Sequence, residues 1–308
     1  MFDADQAAIR PGRDNQVNCT LSLYSDARGM PSNPKSLHSQ SSSYELTPSG
    51  DRYFDGLAEK FSRSLYQAPR GELRLAMLDY LLPEMLNLEG QCVLDVGGGL
   101  GQQAAWFAER GHDVTMTEPS ADMLSYAKTW HRDVKTLPEE AITYLQAPLQ
   151  RLTEQAPGPW PLITCHAVLE WLGDPQAALA TLSDLLAPGG QLSLMVFNRD
   201  ALRFSNAVKG NLEKALSDRL AGKGKRQRLT PISPVSHAEV EQWSADNGLV
   251  IDTVAGIRVF QDYLRHSPAT PAETETLLAL EKKYCRHDPH WRLGRYLLYT
   301  LIKPEIIE

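Results

Sequence analysis

Two kinds of hydrophobic pattern alternate along the chain from about residue 71. Short apolar runs are typical of strands buried in a parallel sheet, whereas apolar positions recurring every three to four residues are typical of helices that pack on such a sheet. The short runs predict seven strands, at 91–96, 113–118, 141–146, 161–171, 191–198, 248–260 and 295–304. The alternation therefore predicts an α/β fold in which helices cover both faces of a parallel sheet.

Local signals predict where several helices begin and end. The run 71–86 has helical periodicity, and we expect Pro83 to bend this helix or to end its regular part, because proline lacks the N–H group that a helix interior needs. A further helix is expected to start at Ser120. The sequence Ser-His-Ala-Glu at 236–239 is a capping box, which predicts another helix start.

The composition divides the chain into two parts. Residues 1–50 are rich in polar residues and show no sustained periodicity, so we expect a mostly disordered N-terminal extension. Residues 51–308 form one predicted domain, in which two segments, at about 199–235 and 261–292, interrupt the alternation. Both are expected at the edge where parallel strands end, which is where open α/β sheets bind ligands.

Charge and cysteine content exclude several classes of protein. The net charge of −7 excludes nucleic-acid binding through overall charge, but residues 203–228 hold eight Lys and Arg residues against two acids. Such a segment is either a solvated loop or a local contact for nucleic acid. The four cysteines form no C-x-x-C pair or Cys/His cluster, so no metal site is expected. No run is apolar enough for a membrane span and no secretory signal is visible, so we expect a cytoplasmic protein.

The sequence VLDVGGGLG carries the chemistry. It places Asp95, Gly97, Gly99 and Gly101 between a predicted strand and a predicted helix. Glycines let backbone N–H groups approach a ligand closely. The pyrophosphate-binding pattern G-x-G-x-x-G fails, because Gln102 occupies its last position. The pattern G-x-G-x-G instead suits S-adenosyl-L-methionine, whose methionine moiety carries no phosphate.

Two further elements support this interpretation. Glu118 ends the second predicted strand, 23 residues after Asp95, where a carboxylate accepts hydrogen bonds from ribose hydroxyls. Residues 188–190, Pro-Gly-Gly, are predicted to end a helix and start the fifth strand. Order and spacing together predict a class I methyltransferase fold. A glycine turn that only packs a helix on a strand and a nicotinamide enzyme are the alternatives.

From about Arg52 to Pro304 the sequence resembles the bacterial tRNA 5-carboxymethoxyuridine methyltransferases. The matching stretches are FDGLAEKFSRSLY, GELR, VLDVGGGLGQ, AERGHDV, HAVLEW, PGGQLSLM, GIRVFQDYLR, and YCRHDP followed by LGRY. The resemblance implies a Rossmann-like sheet with an antiparallel last strand. It also implies methyl transfer from S-adenosylmethionine to the carboxylate of 5-carboxymethoxyuridine at the wobble position (34) of tRNA, with tRNA as the partner and no metal.

The resemblance also assigns residues. Those implied to bind the cofactor are Arg74, Gly97, Gly98, Glu118, Pro148, Leu149 and His166. Many relatives have Asp at the position of Glu118, and 147–149 differs from the more polar family version. No general base is expected, because a carboxylate is already ionised at neutral pH. The catalytic residues therefore stay unassigned.

Each candidate also has a purely structural interpretation. Arg74 either pairs with the cofactor carboxylate or extends from a partly buried helix, and His166 either lines the cofactor pocket or is a hydrogen-bonded core residue. Arg258 is a candidate to bind the uridine carboxylate and Tyr263 to stack on the base, but both are equally consistent with packing roles. Arg286 and Arg295 are weaker candidates. In the basic segment, the candidates for tRNA phosphate contact are Lys223, Lys225, Arg226 and Arg228.

The sequence is also consistent with two other functions. The same fold supports carboxyl O-methyltransferases that act on small molecules or acyl carriers, and it also supports non-catalytic proteins that bind S-adenosylmethionine. The sequence predicts neither the oligomeric state nor the tRNA isoacceptors.

Overall fold

The computed structural model describes residues 46–66, 68–90, 92–222 and 230–305. Its centre is a seven-stranded sheet of order β3-β2-β1-β4-β5-β7-β6. The strands are β1 (Val93–Val96), β2 (Val114–Thr117), β3 (Ile142–Leu145), β4 (Trp160–His166), β5 (Leu186–Phe197), β6 (Val250–Ile257) and β7 (Tyr296–Ile302). Strand β7 pairs antiparallel with both of its neighbours, β5 and β6, and so runs opposite to the other six strands. The predicted mostly parallel, seven-stranded Rossmann-like sheet with an antiparallel last strand is therefore confirmed.

Helices cover both faces of the sheet. They are α1 (Ala58–Phe61), α2 (Pro69–Met85), α3 (Gln102–Ala108), α4 (Ala121–Asp133), α5 (Leu152–Gln155), α6 (Pro175–Leu185), α7 (Arg199–Val208), α8 (Leu212–Leu216), α9 (His237–Asp246) and α10 (Pro271–Tyr284). Helices α5, α6 and α9 share one apolar core with the sheet, and α2, α3, α4 and α10 share the other. Within the described ranges, no helix is long and apolar enough to cross a membrane.

The predicted capping signals are confirmed. The Ser120 side chain accepts a hydrogen bond from the Met123 amide at the start of α4. At the start of α9, Ser236 and Glu239 form both hydrogen bonds of a capping box. These short-range signals succeed because a cap depends only on residues three positions apart.

Several boundaries differ from the prediction. Helix α2 ends at Met85, two residues after Pro83, because a proline in the last turn leaves the hydrogen bonds of the preceding turns intact. The fourth strand is shorter than 161–171: Ala167 adopts a φ of +59°, which turns the chain into a 3₁₀ turn at Leu169–Trp171. The Pro-Gly-Gly of 188–190 lies within β5.

The two interrupting segments contain helices of their own. Helices α7 and α8 follow β5, and α10 lies between β6 and β7. Leu277 of α10 packs into the same apolar core as α2. Residues 1–45, most of the predicted N-terminal extension, lie outside the described residues.

Candidate functional site

A cavity opens at the carboxyl ends of β1 to β4. The space inside it that atoms do not fill is about 1290 Å³, including the open mouth. Of the residues implied to bind the cofactor, Arg74, Gly97, Gly98, Glu118, Leu149 and His166 line this cavity. Pro148 is not among the lining residues, although its neighbours Ala147 and Leu149 are.

The glycine turn after β1 needs its glycines for close packing. Gly97 has a φ of +66°, and a Cβ atom there would lie 2.6 Å from a methyl group of Val168. At Gly98, a Cβ atom would lie 2.7 Å from a carboxyl oxygen of Asp95 and 2.8 Å from Met116. The turn can therefore run close to both the sheet and the cavity only without side chains.

Glu118 is held in a fixed orientation beside that turn. One carboxyl oxygen accepts a hydrogen bond from the Gly99 amide and the other from the Ser120 amide, both at 3.0 Å. Burial raises the pKa of Glu118 to about 7, although both amides oppose this shift. A carboxylate with fixed oxygens at the edge of a cavity is suited to accept hydrogen bonds from a ribose diol.

Arg74 lies on the cavity wall near two aromatic rings. Its guanidinium carbon is 5.1 Å from the centre of the Tyr66 ring and 5.7 Å from that of Tyr296. Burial would lower the pKa of Arg74, but the two tyrosines outweigh it and the pKa is raised. The buried Nε has no hydrogen-bond partner among the described residues. A buried cation with an open donor fits an anionic ligand.

His166 is neutral where it lies. Its Nε2 is 2.8 Å from the Ser193 hydroxyl, and its Nδ1 has no partner in the described part of the chain. Burial, helped by the charge of Arg74, lowers the pKa of His166 to about 3. The histidine is therefore both a hydrogen-bonded structural residue and part of the cavity wall.

The sequence assigned no role to several residues that line the cavity. Tyr66, Glu170, Trp171 and Tyr296 belong to stretches that carry the family resemblance, and Phe197 ends β5. The segment before α1 adds Tyr53 and Phe54. The only sequence signal for these residues is that most of them lie in stretches that carry the family resemblance. Their place in the cavity wall depends on contacts between elements that are distant in the sequence.

Arg258 and Tyr263 are engaged elsewhere. The Arg258 guanidinium donates two hydrogen bonds to Asp262, at 2.8 and 2.7 Å, and lies 5.7 Å from the centre of the Tyr296 ring. The Tyr263 hydroxyl donates to the Leu293 carbonyl at 2.8 Å. Neither residue lines the cavity, so their substrate contacts stay a prediction. Arg295 lies 3.5 Å from Asp262 in the same cluster.

The basic candidates Lys223, Lys225, Arg226 and Arg228 lie outside the described residues. Within the described part of that segment, Arg203 forms ion pairs with Asp200 and Asp218. Among the described residues, no group of three or more His, Cys, Asp or Glu side chains is arranged to hold a metal ion.

Comparison with known proteins identifies the family. A family model described as a methyltransferase domain matches residues 66–254. The chain is 40% identical over 259 residues to the tRNA 5-carboxymethoxyuridine methyltransferase of Escherichia coli K12, a match that covers 83% of this chain and 97% of the relative. This chain belongs to the tRNA 5-carboxymethoxyuridine methyltransferase family.

More distant matches agree on the fold. The ubiquinone biosynthesis O-methyltransferase of Pseudomonas paraeruginosa PA7 is 30% identical over 57% of this chain and 72% of its own length. The crystal structure of magnesium protoporphyrin IX methyltransferase from Synechocystis PCC 6803, with bound S-adenosylhomocysteine, superposes with a TM-score of 0.55 at 16% identity. It covers 82% of this chain and 96% of that one.

The methyltransferase is S-adenosylmethionine-dependent, and its cavity fits that cofactor. Glu118 would offer acceptors for the ribose hydroxyls, and the open Nε of Arg74 would offer a donor for the amino-acid carboxylate. The side-chain-free turn at Gly97 and Gly98 would let the ligand lie against the backbone. These residue roles stay predictions.

Proposed function

We propose that this methyltransferase methylates the carboxylate of 5-carboxymethoxyuridine at the wobble position of tRNA and so forms the methyl ester. The match to the Escherichia coli relative carries the proposal, because it covers 97% of that protein and is longer than the region of the general methyltransferase model. The similarity therefore includes sequence beyond the elements that methyltransferases share.

The cavity has the properties that this chemistry requires. S-adenosylmethionine supplies an electrophilic methyl group on a sulfonium. A substrate carboxylate, with a pKa of about 4, is ionised at neutral pH and needs no base to remove a proton. The protein then contributes orientation and the exclusion of water. Phe54, Trp171 and Phe197 form an aromatic part of the wall, which is suited to stack on a pyrimidine ring.

A labelling experiment with three pools of tRNA tests the proposal. The pools are tRNA from cells that lack this gene, tRNA from wild-type cells, and the wild-type tRNA after mild alkaline hydrolysis. With methyl-labelled S-adenosylmethionine, we expect incorporation into the first and third pools and little into the second, where the carboxylate is already esterified. The label should be on the wobble uridine and should be released by mild base.

The Escherichia coli relative serves as the positive control. Label that resists mild base, or equal incorporation into all three pools, would contradict a carboxylate acceptor. If no tRNA is labelled by protein that binds the cofactor, acyl carriers and small carboxylic acids become the acceptors to test, and protein that methylates none of them is a non-catalytic cofactor-binding protein.

A further inference from the structure

Glu170 is a buried acid in the wall of the cavity. It lies in the 3₁₀ turn after β4 and is 1% exposed. Its carbonyl oxygen accepts hydrogen bonds from the amides of Ile232 and Ser233, which tie the turn to the end of the segment after β5. Its side-chain Oε2 has no hydrogen-bond partner among the described residues. A buried polar atom without a partner costs free energy, so a ligand that uses this oxygen gains affinity.

The groups around Glu170 favour its neutral form. Burial raises the pKa of Glu170 to about 8, while its own amide, that of Phe197 and the charge of Arg74 on α2 oppose the shift. Two further titratable neighbours carry no charge at neutral pH: burial raises the pKa of the Cys165 thiol on β4 and lowers that of His166. The charged Arg52 lies near Trp171, the next residue. At neutral pH the side chain is therefore mostly a carboxylic acid, which is a hydrogen-bond donor.

We propose that Glu170, in its protonated form, donates a hydrogen bond to one oxygen of the substrate carboxylate and thereby forms the carboxylate subsite of this enzyme. The inference rests on the proposed function. A carboxylate entering a buried cavity must find donors to replace water. Arg74 fits the cofactor carboxylate, and the Arg52 guanidinium lies beside the rings of Phe54 and Trp171, 5.6 and 5.5 Å from their centres.

A hydrogen bond from an acid to a carboxylate is short and strong, and it holds the substrate in one orientation. The second carboxylate oxygen stays free to react. Its lone pair forms the new carbon–oxygen bond while the carbon–sulfur bond breaks and leaves its electron pair on sulfur. No proton is released, so Glu170 keeps its own. An ionised Glu170 would instead repel the substrate.

The pH dependence of the enzyme separates this role from a structural one. We would measure kcat/KM for tRNA across neutral and alkaline pH by S-adenosylhomocysteine formation, because the ester product is labile to base. For the wild type, kcat/KM should fall about tenfold per pH unit above about pH 8. Glu170→Gln keeps a neutral donor, so it should stay active and lose this fall. Glu170→Leu should lose about 100-fold at pH 7.

Controls distinguish the possible failures. Glu154→Gln, at an exposed position of helix α5, should follow the wild type. Thermal unfolding shows whether each variant is folded. The affinity for S-adenosylhomocysteine should be unchanged in Glu170→Gln. The wild type should bind tRNA carrying the free acid more tightly than tRNA carrying the ester at pH 7, and this preference should shrink at pH 9 in the wild type alone.

Two results would overturn the assignment. One is a Glu170→Gln enzyme that keeps the alkaline fall of the wild type. The other is a loss confined to cofactor affinity, which would mean that Glu170 pairs with a cationic group of the cofactor. In both, the wild type still esterifies tRNA, whereas failure of the proposed function leaves the wild type without activity on tRNA at any pH.

Discussion

The Glu118 side chain binds two backbone amides and also lines the cavity. Its oxygens accept the amides of Gly99 and Ser120, and the same carboxylate faces the cavity. We expect Glu118→Ala to weaken S-adenosylhomocysteine binding by about 100-fold, since hydrogen bonds to a charged group contribute roughly 1.5–3 kcal/mol each. Glu118→Asp keeps the carboxylate and should stay within about tenfold of the wild type. Isothermal titration calorimetry measures both values.

The pKa of Glu118 determines how we expect cofactor binding to depend on pH. Because the pKa of Glu118 is raised to about 7, the ionised acceptor is lost as the pH falls through that value. S-adenosylhomocysteine affinity should therefore decrease below about pH 7 in the wild type. In Glu118→Ala the affinity should depend less on pH, and an equal dependence in both proteins would contradict this role.

Replacing Gly98 is expected to cause a steric clash in the glycine turn. In Gly98→Ala the new methyl group would meet Asp95 and Met116 at 2.7 and 2.8 Å, so the turn or these side chains must shift. We expect a loss of about 1–3 kcal/mol in the free energy of unfolding, together with weaker cofactor binding. Gly111 is the control: its φ is +83° and no atom lies within 4 Å of its added Cβ. Gly111→Ala should cost stability but leave cofactor affinity unchanged, and equal cofactor losses in both variants would refute the steric account.

At the scale of elements, the buried side chain of Glu281 on α10 forms hydrogen bonds with the loop after β6. The carboxylate of Glu281 accepts the amides of Val259, Phe260 and Gln261 at 2.6, 2.9 and 2.9 Å. Glu281→Ala leaves one buried and two partly buried N–H groups without this acceptor and should cost about 3 kcal/mol in urea unfolding. Glu275→Gln, exposed on the same helix, should change little. A similar small change in Glu281→Ala would show that α10 is held by other contacts.

The helices and strands also show which structural features follow from short stretches of sequence. The strand positions and the caps at Ser120 and Ser236 follow from patterns a few residues long, and they were predicted correctly. The 3₁₀ turn at Leu169–Trp171 was missed, because its apolar residues continue the pattern of β4. The contact of α10 with α2 was also missed. Leu277 and Glu281 are the only residues of α10 that are buried, so no apolar stripe marks the packed face.

At the scale of the whole molecule, the sequence predicts the position of the cavity better than the roles of individual residues. Parallel strands bring their carboxyl ends to one edge, so the glycine turn and Glu118 had to meet. The protonation state of Glu170 could not be predicted, because it depends on burial by elements far apart in the chain. Arg258 shows the converse: its residue type suggested a substrate contact, but its Nε and Nη2 groups donate hydrogen bonds to its neighbour Asp262.

Charge is distributed unevenly along the chain. The chain has a net charge of −7, yet 203–228 carries an excess of six positive charges, and four of these belong to Lys223, Lys225, Arg226 and Arg228. A polyanion such as tRNA is repelled by the molecule as a whole, so its approach depends on a local basic segment. Replacing these four residues with Gln should raise the KM for tRNA and leave cofactor affinity and the kcat at saturating tRNA unchanged.

Salt distinguishes phosphate contact from an incidental charge run. Each phosphate contact contributes roughly 0.7–0.9 to the slope of log affinity against log salt, so the fourfold variant should lose about three from that slope. Arg132→Gln with Arg151→Gln removes two exposed charges outside the segment and should keep the slope of the wild type. If the fourfold variant also keeps that slope, the segment is only solvated, and the tRNA backbone must be bound by another face of the molecule.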